Sequence, residues 1–354
     1  MADTSYVVND PATVKLWSKY LMAEVLKNTW AWNFVGTGDD NLIQQKTETQ
    51  KGAGDTIKFF LRMQMGAGGV AGDSTMEGNE EAITTYNDSL LIDQLRNAHR
   101  SNGRMSEQRV SWNIREEARM GLADWWSGRI DLSWVNQMAG YTPETDVRYT
   151  GMNATVAPDT AHIKRPVSGE DSDQSISTTS TFTLSMLDKA VEVARVATPA
   201  IRPLRIGGKP MYAAFLHDYQ VTDMRTNTNT GQWLDIQKAA MTGGEVSDNP
   251  IFNGSLGVYN SVIIHSDTRI PFGVSGASGL AVTGVRRSFV AGAQAAVVGF
   301  GQDNGPNKIT WDEKTFDYGN KLGVAAGMIW GLKKTIFNSA DYGTIVIPTY
   351  AVAH

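Results

Sequence analysis

TIKFFLRMQMGAGGVAGDSTMEG, residues Thr56 to Gly78, decides the fold because it admits two incompatible readings. Gly66, Gly68 and Ala71 satisfy the G-x-G-x-x-G/A spacing of a dinucleotide-binding turn, and the residues before them alternate like a β-strand. Such a turn must open directly into a helix whose N-terminus holds the pyrophosphate. Val70 to Gly78 contains Gly72 and Gly78 and no apolar stripe, so no helix follows. The other reading is a flap. Ile57, Phe59, Leu61, Met63 and Met65 line one face of a strand, with Lys58, Arg62 and Gln64 on the other, and EAITTYNDSLLIDQLRNAHRS (Glu81 to Ser101) is the returning strand. Strands of about ten residues reach ~30 Å, and an isolated hairpin is at best marginally stable in water. The flap must therefore lie on a neighbour, with Gly66, Gly68, Gly69 and Gly72 at its tip.

The bulk composition suits a globular chain of 354 residues, 41% hydrophobic and 19% charged. Glycine, 35 residues, exceeds its usual share, which suggests many tight turns and hinges. With no cysteine, disulfides, thiolate metal sites and a cysteine nucleophile are excluded, so stability comes from packing or association. A net charge of −5 argues against a dedicated nucleic-acid binder. Neither a signal-type N-terminus nor an eighteen-residue apolar run occurs, so synthesis in the cytoplasm and no membrane partner are expected.

Outward from the flap, residues 1–55 read as an arm. Asp10-Pro11 starts a helix with Val14, Leu16, Trp17, Tyr20, Leu21 and Val25 at helical spacing, before the irregular stretch WAWNFVGTGDDN. Its aromatics Trp30, Trp32 and Phe34 need a surface, either the chain's own core or a neighbouring subunit. Beyond the flap, the periodicity predicts one long helix from Ser106, an N-cap, to Ala139. One apolar stripe runs Val110, Ile114, Ala118, Leu122 and Trp125, and a second Trp126, Ile130, Trp134 and Met138. Gly121 and Gly128 inside it suggest a bend or a close backbone approach. Residues 140–181 read as a polar excursion in which Glu170, Asp171 and Asp173 form a solvated acidic turn. From Phe182 the pattern becomes a compact α/β section: a helix in TLSMLDKAVEVARVA, a buried strand running into a helix at His217-Asp218, a short helix in QWLDIQKAAM, a strand in LGVYNSVIIHS, and a strand or strand pair in SFVAGAQAAVVGFG. Two extended segments hinged at Asp317 to Asn320 and a terminal strand TIVIPTY close the chain.

No catalytic constellation emerges. The histidines His99, His162, His217, His265 and His354 never adopt a metal-ligand spacing, and H-E-x-x-H, G-x-S-x-G and the P-loop motif are absent. His217-Asp218 reads as a structural histidine. Arg286 and Arg287, beside a glycine-rich strand, suit a phosphate or a carboxylate on a neighbouring chain. No catalytic residue, cofactor or metal is expected.

Five blocks in order resemble the major capsid proteins of tailed bacteriophages, in particular the family of the coliphage N-four capsid protein. They are SEQRVSWNIREEARMGLADWW (Ser106 to Trp126), AFLHDYQVTDMR (Ala214 to Arg225), NPIFNGSLGVYNSVIIHSDTRIP (Asn249 to Pro271), RRSFVAGAQAAVVGFG (Arg286 to Gly301) and DYGNKLGVAAGMIWGLKKTIFNSADYG (Asp317 to Gly343). The resemblance implies an α+β chain of the Hong Kong 97 phage capsid fold. In its terms residues 1–55 are the N-terminal arm, 56–105 the E-loop, 106–181 the P-domain with its spine helix, 182–305 the A-domain, and 306–354 strands returning to the P-domain. It further implies a non-catalytic virion protein that assembles as hexamers and pentamers into an icosahedral shell. The shell would enclose double-stranded DNA without sequence-specific binding, with a portal at one vertex. A separate scaffolding protein, no proteolytic trimming, and possible cement or decoration proteins are expected with it. Lys58 is a cross-link candidate by position only. The aromatics of the arm, the flap-tip glycines and Arg286 and Arg287 become expected intersubunit contacts. The rival classes are a nucleotide-binding enzyme using Gly66 to Ala71 and a virion decoration protein.

Overall fold

The structure, a computed structural model, describes residues 21, 24, 25, 29–46, 54–63, 65–109, 113–206, 208–227, 257–302 and 309–354. The helix expected in QWLDIQKAAM and most of the expected arm helix lie outside the described residues. Leu21 and Val25 of the arm stripe are described, and both are buried.

The spine helix, Ile114–Ala139, organises the rest. It starts where the Asn113 side chain accepts the Arg115 N–H at 2.9 Å and where Glu116 and Glu117 meet the positive end of the helix dipole. It ends at Gly140, whose φ of 61° lets its N–H reach the Asn136 and Gln137 carbonyls. Only glycine fits there, since a Cβ would meet Pro158 Cδ at 2.7 Å and the Val156 carbonyl oxygen at 2.8 Å. The start differs from the expected one. Ser106 falls inside a separate short helix, Arg104–Gln108, and the cap is Asn113. Ala118 and Leu122 of the first stripe and Trp126, Ile130, Trp134 and Met138 of the second are buried, while Trp125 is half-buried. Among the described residues nothing lies within 4 Å of a Cβ added at Gly121 or Gly128, so of the two expected reasons for these glycines, a bend or a close approach, the described residues do not supply the second.

Two sheets clasp this helix. The first has six strands, ordered Val35–Gly36, Ile43–Lys46, Ala296–Phe300, Lys321–Lys334, Thr310–Phe316, with Asp93–Arg100 also pairing with Lys321–Lys334. The long strand Lys321–Lys334 is the axis. Asp93–Arg100 runs antiparallel along one edge, while Thr310–Phe316 and then Ala296–Phe300 run along the other. The second sheet has seven strands, with Phe272–Val274, Ala281–Ala291, Lys209–Leu216, Val262–Ser266 and Gly257–Tyr259 in order. Thr344–Tyr350 joins it at Ala281–Ala291 and Leu204–Ile206 at Lys209–Leu216.

Strand Lys209–Leu216 shows why the second sheet reads as continuous apolar sequence. Ala213 and Phe215 face the spine helix cluster, and Tyr212, Ala214 and Leu216 face a cluster built with helix Leu184–Val196 and helix Asp218–Thr226. Both faces are covered, so no polar alternation survives. His217 caps the second of these helices, its Nδ1 accepting the Tyr219 N–H at 3.1 Å, as a structural histidine does.

One expectation about strands changes and two are filled in. LGVYNSVIIHS is a hairpin, Gly257–Tyr259 and Val262–Ser266, turned at Asn260 and Ser261 with φ of 44° and 63°. SFVAGAQAAVVGFG divides between sheets, Ala281–Ala291 in the second and Ala296–Phe300 in the first. The terminal strand Thr344–Tyr350 pairs antiparallel with Ala281–Ala291 in the second sheet. The hinge at Asp317 to Asn320 stands as expected, Asp317 and Tyr318 taking φ of 54° and 50°.

Candidate assembly interface

The flap begins as strand Thr56–Arg62 paired in antiparallel register with Thr85–Leu91. Its returning arm is two strands. After Ile92 the chain leaves the flap and enters the first sheet as Asp93–Arg100, which ties the flap rigidly to the body. The inward side chains Ile57, Phe59, Leu90 and Ile92 pack with Val297, Phe337 and Tyr342. Lys333 reaches the Asp88 carboxylate, and the Asn153 side chain donates to the Leu91 carbonyl at 2.9 Å and accepts the Leu91 N–H at 3.0 Å. The base is therefore anchored.

The opposite face is not. Lys58 is exposed, Phe60 beside it is 70% exposed, and Met65, Met76 and Ile83 towards the tip are all more than half exposed. Met63 and Met65, expected to continue the inward face, lie past the end of the paired strand. At the tip, Gly68, Gly69 and Gly72 have nothing within 4 Å of an added Cβ. Gly69 and Gly72 take φ of 67° and 64°, which suits glycine. The apparent phosphate cradle is occupied by the chain itself: the Gly66 and Ala67 N–H groups donate to the Glu81 carboxylate, each at 2.8 Å. These two bonds hold the Glu81 pKa below the usual carboxylate value. Among the described residues, no cluster of three acidic, histidine or cysteine side chains could hold a metal ion. No helix of the described residues is long and apolar enough to cross a membrane.

The arm aromatics take the first of their two alternatives. Trp30 meets Trp134 and Phe215 edge-on with centroids 5.4 and 5.1 Å apart, Phe34 stacks on Trp134 at 5.9 Å, and Trp32 packs on Phe300 at 5.8 Å. The arm is fastened by Asp131 of the spine helix. Its carboxylate accepts the Ala31 N–H at 2.8 Å and the Trp30 N–H at 3.2 Å, and pairs with Arg269. Burial pushes the Asp131 pKa up against these bonds.

Arg287, expected to face a neighbouring chain, is buried at 5% exposure. Its Nε donates to Asp173 at 2.6 Å and its Nη1 to the Gly140 carbonyl at 2.9 Å. A side chain so enclosed has no surface left for another subunit. Arg286 is half-buried, its Nη1 donating to the Ile270 carbonyl at 2.9 Å and its guanidinium 3.8 Å from the Phe272 ring centroid. The expected solvated acidic turn is corrected as well. Asp173 is enclosed by Arg165, Arg287 and the Val274 N–H, and Glu170 accepts from Ser177 N–H and Ser180 Oγ; Asp171 alone of the three is exposed.

His265 completes the seat of the arm. It stacks on Phe215 at 5.3 Å and meets Phe34 edge-on at 5.3 Å, and burial lowers its pKa from 6.5 to about 4. The folded chain thus favours the neutral ring. Its contribution is complete above pH 6.5 and is lost as pH falls towards 4, a change of about 3 kcal/mol. Melting temperatures across that window should fall more steeply for the wild type than for His265→Gln; equal slopes would show that the ring does not titrate against the fold.

Two sheets around a spine helix, with a flap anchored at its base, make an α+β chain of the Hong Kong 97-like fold. Comparison places the chain accordingly. The family model for phage capsid protein matches residues 5–353, and the chain belongs to that family. It is 31% identical to the major capsid protein of Pseudomonas phage KPP25 across 96% of this chain and 95% of the relative. The solved capsid of Ralstonia phage GP4 superposes with a TM-score of 0.78 at 32% identity, covering 99% of both chains. The capsid of cyanophage Pam1 shares the fold, with a TM-score of 0.74 at 17% identity over 93% of this chain and 94% of that one. The role is structural, in a phage shell, and not enzymatic.

Proposed function

We propose that the chain is the repeating subunit of an icosahedral shell, associating as hexamers and pentamers around double-stranded DNA, with each flap laid across a neighbouring copy. The observation that carries this reading is the flap itself. Its base is locked to the body by side chains from three separate parts of the chain, while among the described residues Phe60 on its outer face is exposed and Gly68, Gly69 and Gly72 at its tip have open space around them. Exposed large apolar side chains along the flap, Phe60, Met65, Met76 and Ile83, mark an interaction surface. The glycine tip allows one flap to fit the slightly different neighbours of five- and six-fold positions. In shell terms residues 1–55 serve as the arm, 56–105 as the E-loop and the two sheets with the spine helix as the P- and A-domains. A scaffolding protein, a portal and in some particles a cement protein are the partners such a subunit needs, and the virion is where it resides. Trp30, Trp32 and Phe34 are half-buried on the chain's own core, so an intersubunit role for them falls to the ring edges left exposed.

Phe60→Asp tests the reading. It adds a charge to a side chain that is solvent-exposed in the single subunit, so the unfolding free energy of the unassembled chain should change by no more than about 0.5 kcal/mol, as is usual for surface substitutions. Shell yield should fall several-fold. Normal yield would mean that this face is not buried between subunits.

A further inference from the structure

Among the described residues, the outer face of the first sheet is covered at one end only. There the flap base packs down over Gly299 and Gly331, so closely that a Cβ on Gly331 would meet the Leu91 carbonyl oxygen at 2.1 Å. The other end is built from Asp93–Arg100, the first half of Lys321–Lys334 and Thr310–Phe316. Its inner side chains, among them Leu95, Val324 and Trp311, join the spine helix cluster. Alternation then puts Arg96 and Arg100 on the outer face beside Gly327 and Gly323, with Lys314 across from Gly323 and Lys321 across from Phe316.

Because the central strand offers only Gly323, Ala325 and Gly327 here, the long cations border a shallow trough. The Arg100 guanidinium lies 4.3 Å and the Lys314 ammonium 5.3 Å from the Phe316 ring centroid. None of Arg96, Arg100, Lys314 and Lys321 makes an ion pair with a described residue. Among the described strand residues alternation puts Asp312 on this face, Asp55 and Asp93 lie at its border with the flap base, and Asp317 in the adjoining turn is engaged by Asn320 Nδ2 at 3.2 Å.

The flap tip has the opposite character. Residues 63–84 contain Asp73, Glu77, Glu80 and Glu81 and no lysine or arginine. Asp73, Glu77 and Glu80 are exposed, while Glu81 is half-buried and holds the Gly66 and Ala67 N–H groups. We infer that the acidic flap tip of a second copy docks on this cationic face, its carboxylates meeting Arg96, Arg100, Lys314 and Lys321. The inference rests on the reading that flaps cross between subunits, and it adds where the tip lands and what recognises it. Charge complementarity of this sort sets register and excludes wrong partners more than it adds raw affinity. That is what a subunit with several slightly different neighbours requires.

The test uses shells assembled from an equal mixture of isotopically light and heavy chain. Carbodiimide, which couples carboxylates to amines without a spacer, should join Lys314 or Lys321 to Asp73, Glu77 or Glu80 in light–heavy pairs. The double reversal Arg100→Glu with Lys314→Glu should lower shell yield about tenfold, and adding Glu77→Lys with Glu80→Lys should restore most of it. Links found only within one copy, or undiminished yield from the double reversal, would overturn the docking while leaving the shell reading intact. Cations shielded only in DNA-filled particles and coupled to no carboxylate would assign the face to nucleic acid and overturn it equally. Wild-type chain that never forms shells would remove the shell reading and the docking together. Should the reversed variants misfold, the cross-links in wild-type shells decide.

Discussion

Asp173→Ala is expected to destabilise the folded chain by about 3–5 kcal/mol, because it leaves a buried arginine without its counter-charge. Asp173 is 1% exposed and accepts from Arg165 Nη2 at 2.9 Å, Arg287 Nε at 2.6 Å and the Val274 N–H at 2.9 Å. Three parts of the chain meet there: the excursion after the spine helix, the edge strand Phe272–Val274 and the central strand Ala281–Ala291. Burial already pushes the Arg287 pKa down, with the Asp173 charge opposing that shift. Without the carboxylate, only the Ala139 and Gly140 carbonyls remain as acceptors for Arg287. Asp173→Asn keeps the shape and one acceptor oxygen, so it should fall between the wild type and alanine. Denaturant unfolding of the unassembled chain measures both. A midpoint unchanged by Asp173→Ala would mean that water compensates the arginine and that the cluster is not a structural keystone.

Deleting Gly66 to Gly78 is expected to leave a soluble, folded subunit and to lower shell yield by an order of magnitude or more, since the deletion removes contact surface without touching a core. The flap strands keep their register from Thr56–Leu91 to Arg62–Thr85, and the Met63 N–H to Thr84 carbonyl bond closes the pair below the excised tip. The anchoring cluster of Ile57, Phe59, Leu90 and Ile92 lies at the far end. The Glu81 carboxylate loses both of its backbone donors, but the residue is only half-buried and water replaces them. Sedimentation of the deleted chain separates the outcomes. Wild-type amounts of shells would deny the tip any part in assembly, and insoluble chain would place it in the fold.

The flap, the second half of the spine helix and the closing hairpin were legible in the sequence because each carries its own period over enough residues. Ile57, Phe59 and Leu61 alternate, and Trp126, Ile130, Trp134 and Met138 recur every fourth residue. The end of the helix was sharp because Gly140 is the one residue type that fits. Its start was not, since Ser106 and Asn113 are both good caps and only the packing of the following turns distinguishes them. Sheet membership was illegible for a different reason. The apolar runs Ala281–Ala291 and Ala296–Phe300 look alike, yet they belong to different sheets. The close contact of Gly292, where a Cβ would meet the Arg202 carbonyl oxygen at 2.4 Å, is visible only once distant chain is in place. The same holds for the charges. Asp173 and Arg287 are 114 positions apart, and Asp131 meets the arm 100 positions away, so an acidic turn and a basic pair each read as surface. The arm aromatics carried no period, which left their own core and a neighbour equally open until Trp134 and Phe215 were seen to receive them.

The most direct test of the account is a reconstruction by electron cryomicroscopy of particles that contain this chain. The account predicts a closed icosahedral shell whose repeating density matches the two sheets and spine helix, with every flap crossing onto an adjacent copy. A stable, monodisperse monomer under conditions where particles form, or density for the chain only as an isolated knob on a shell built by another protein, would contradict it.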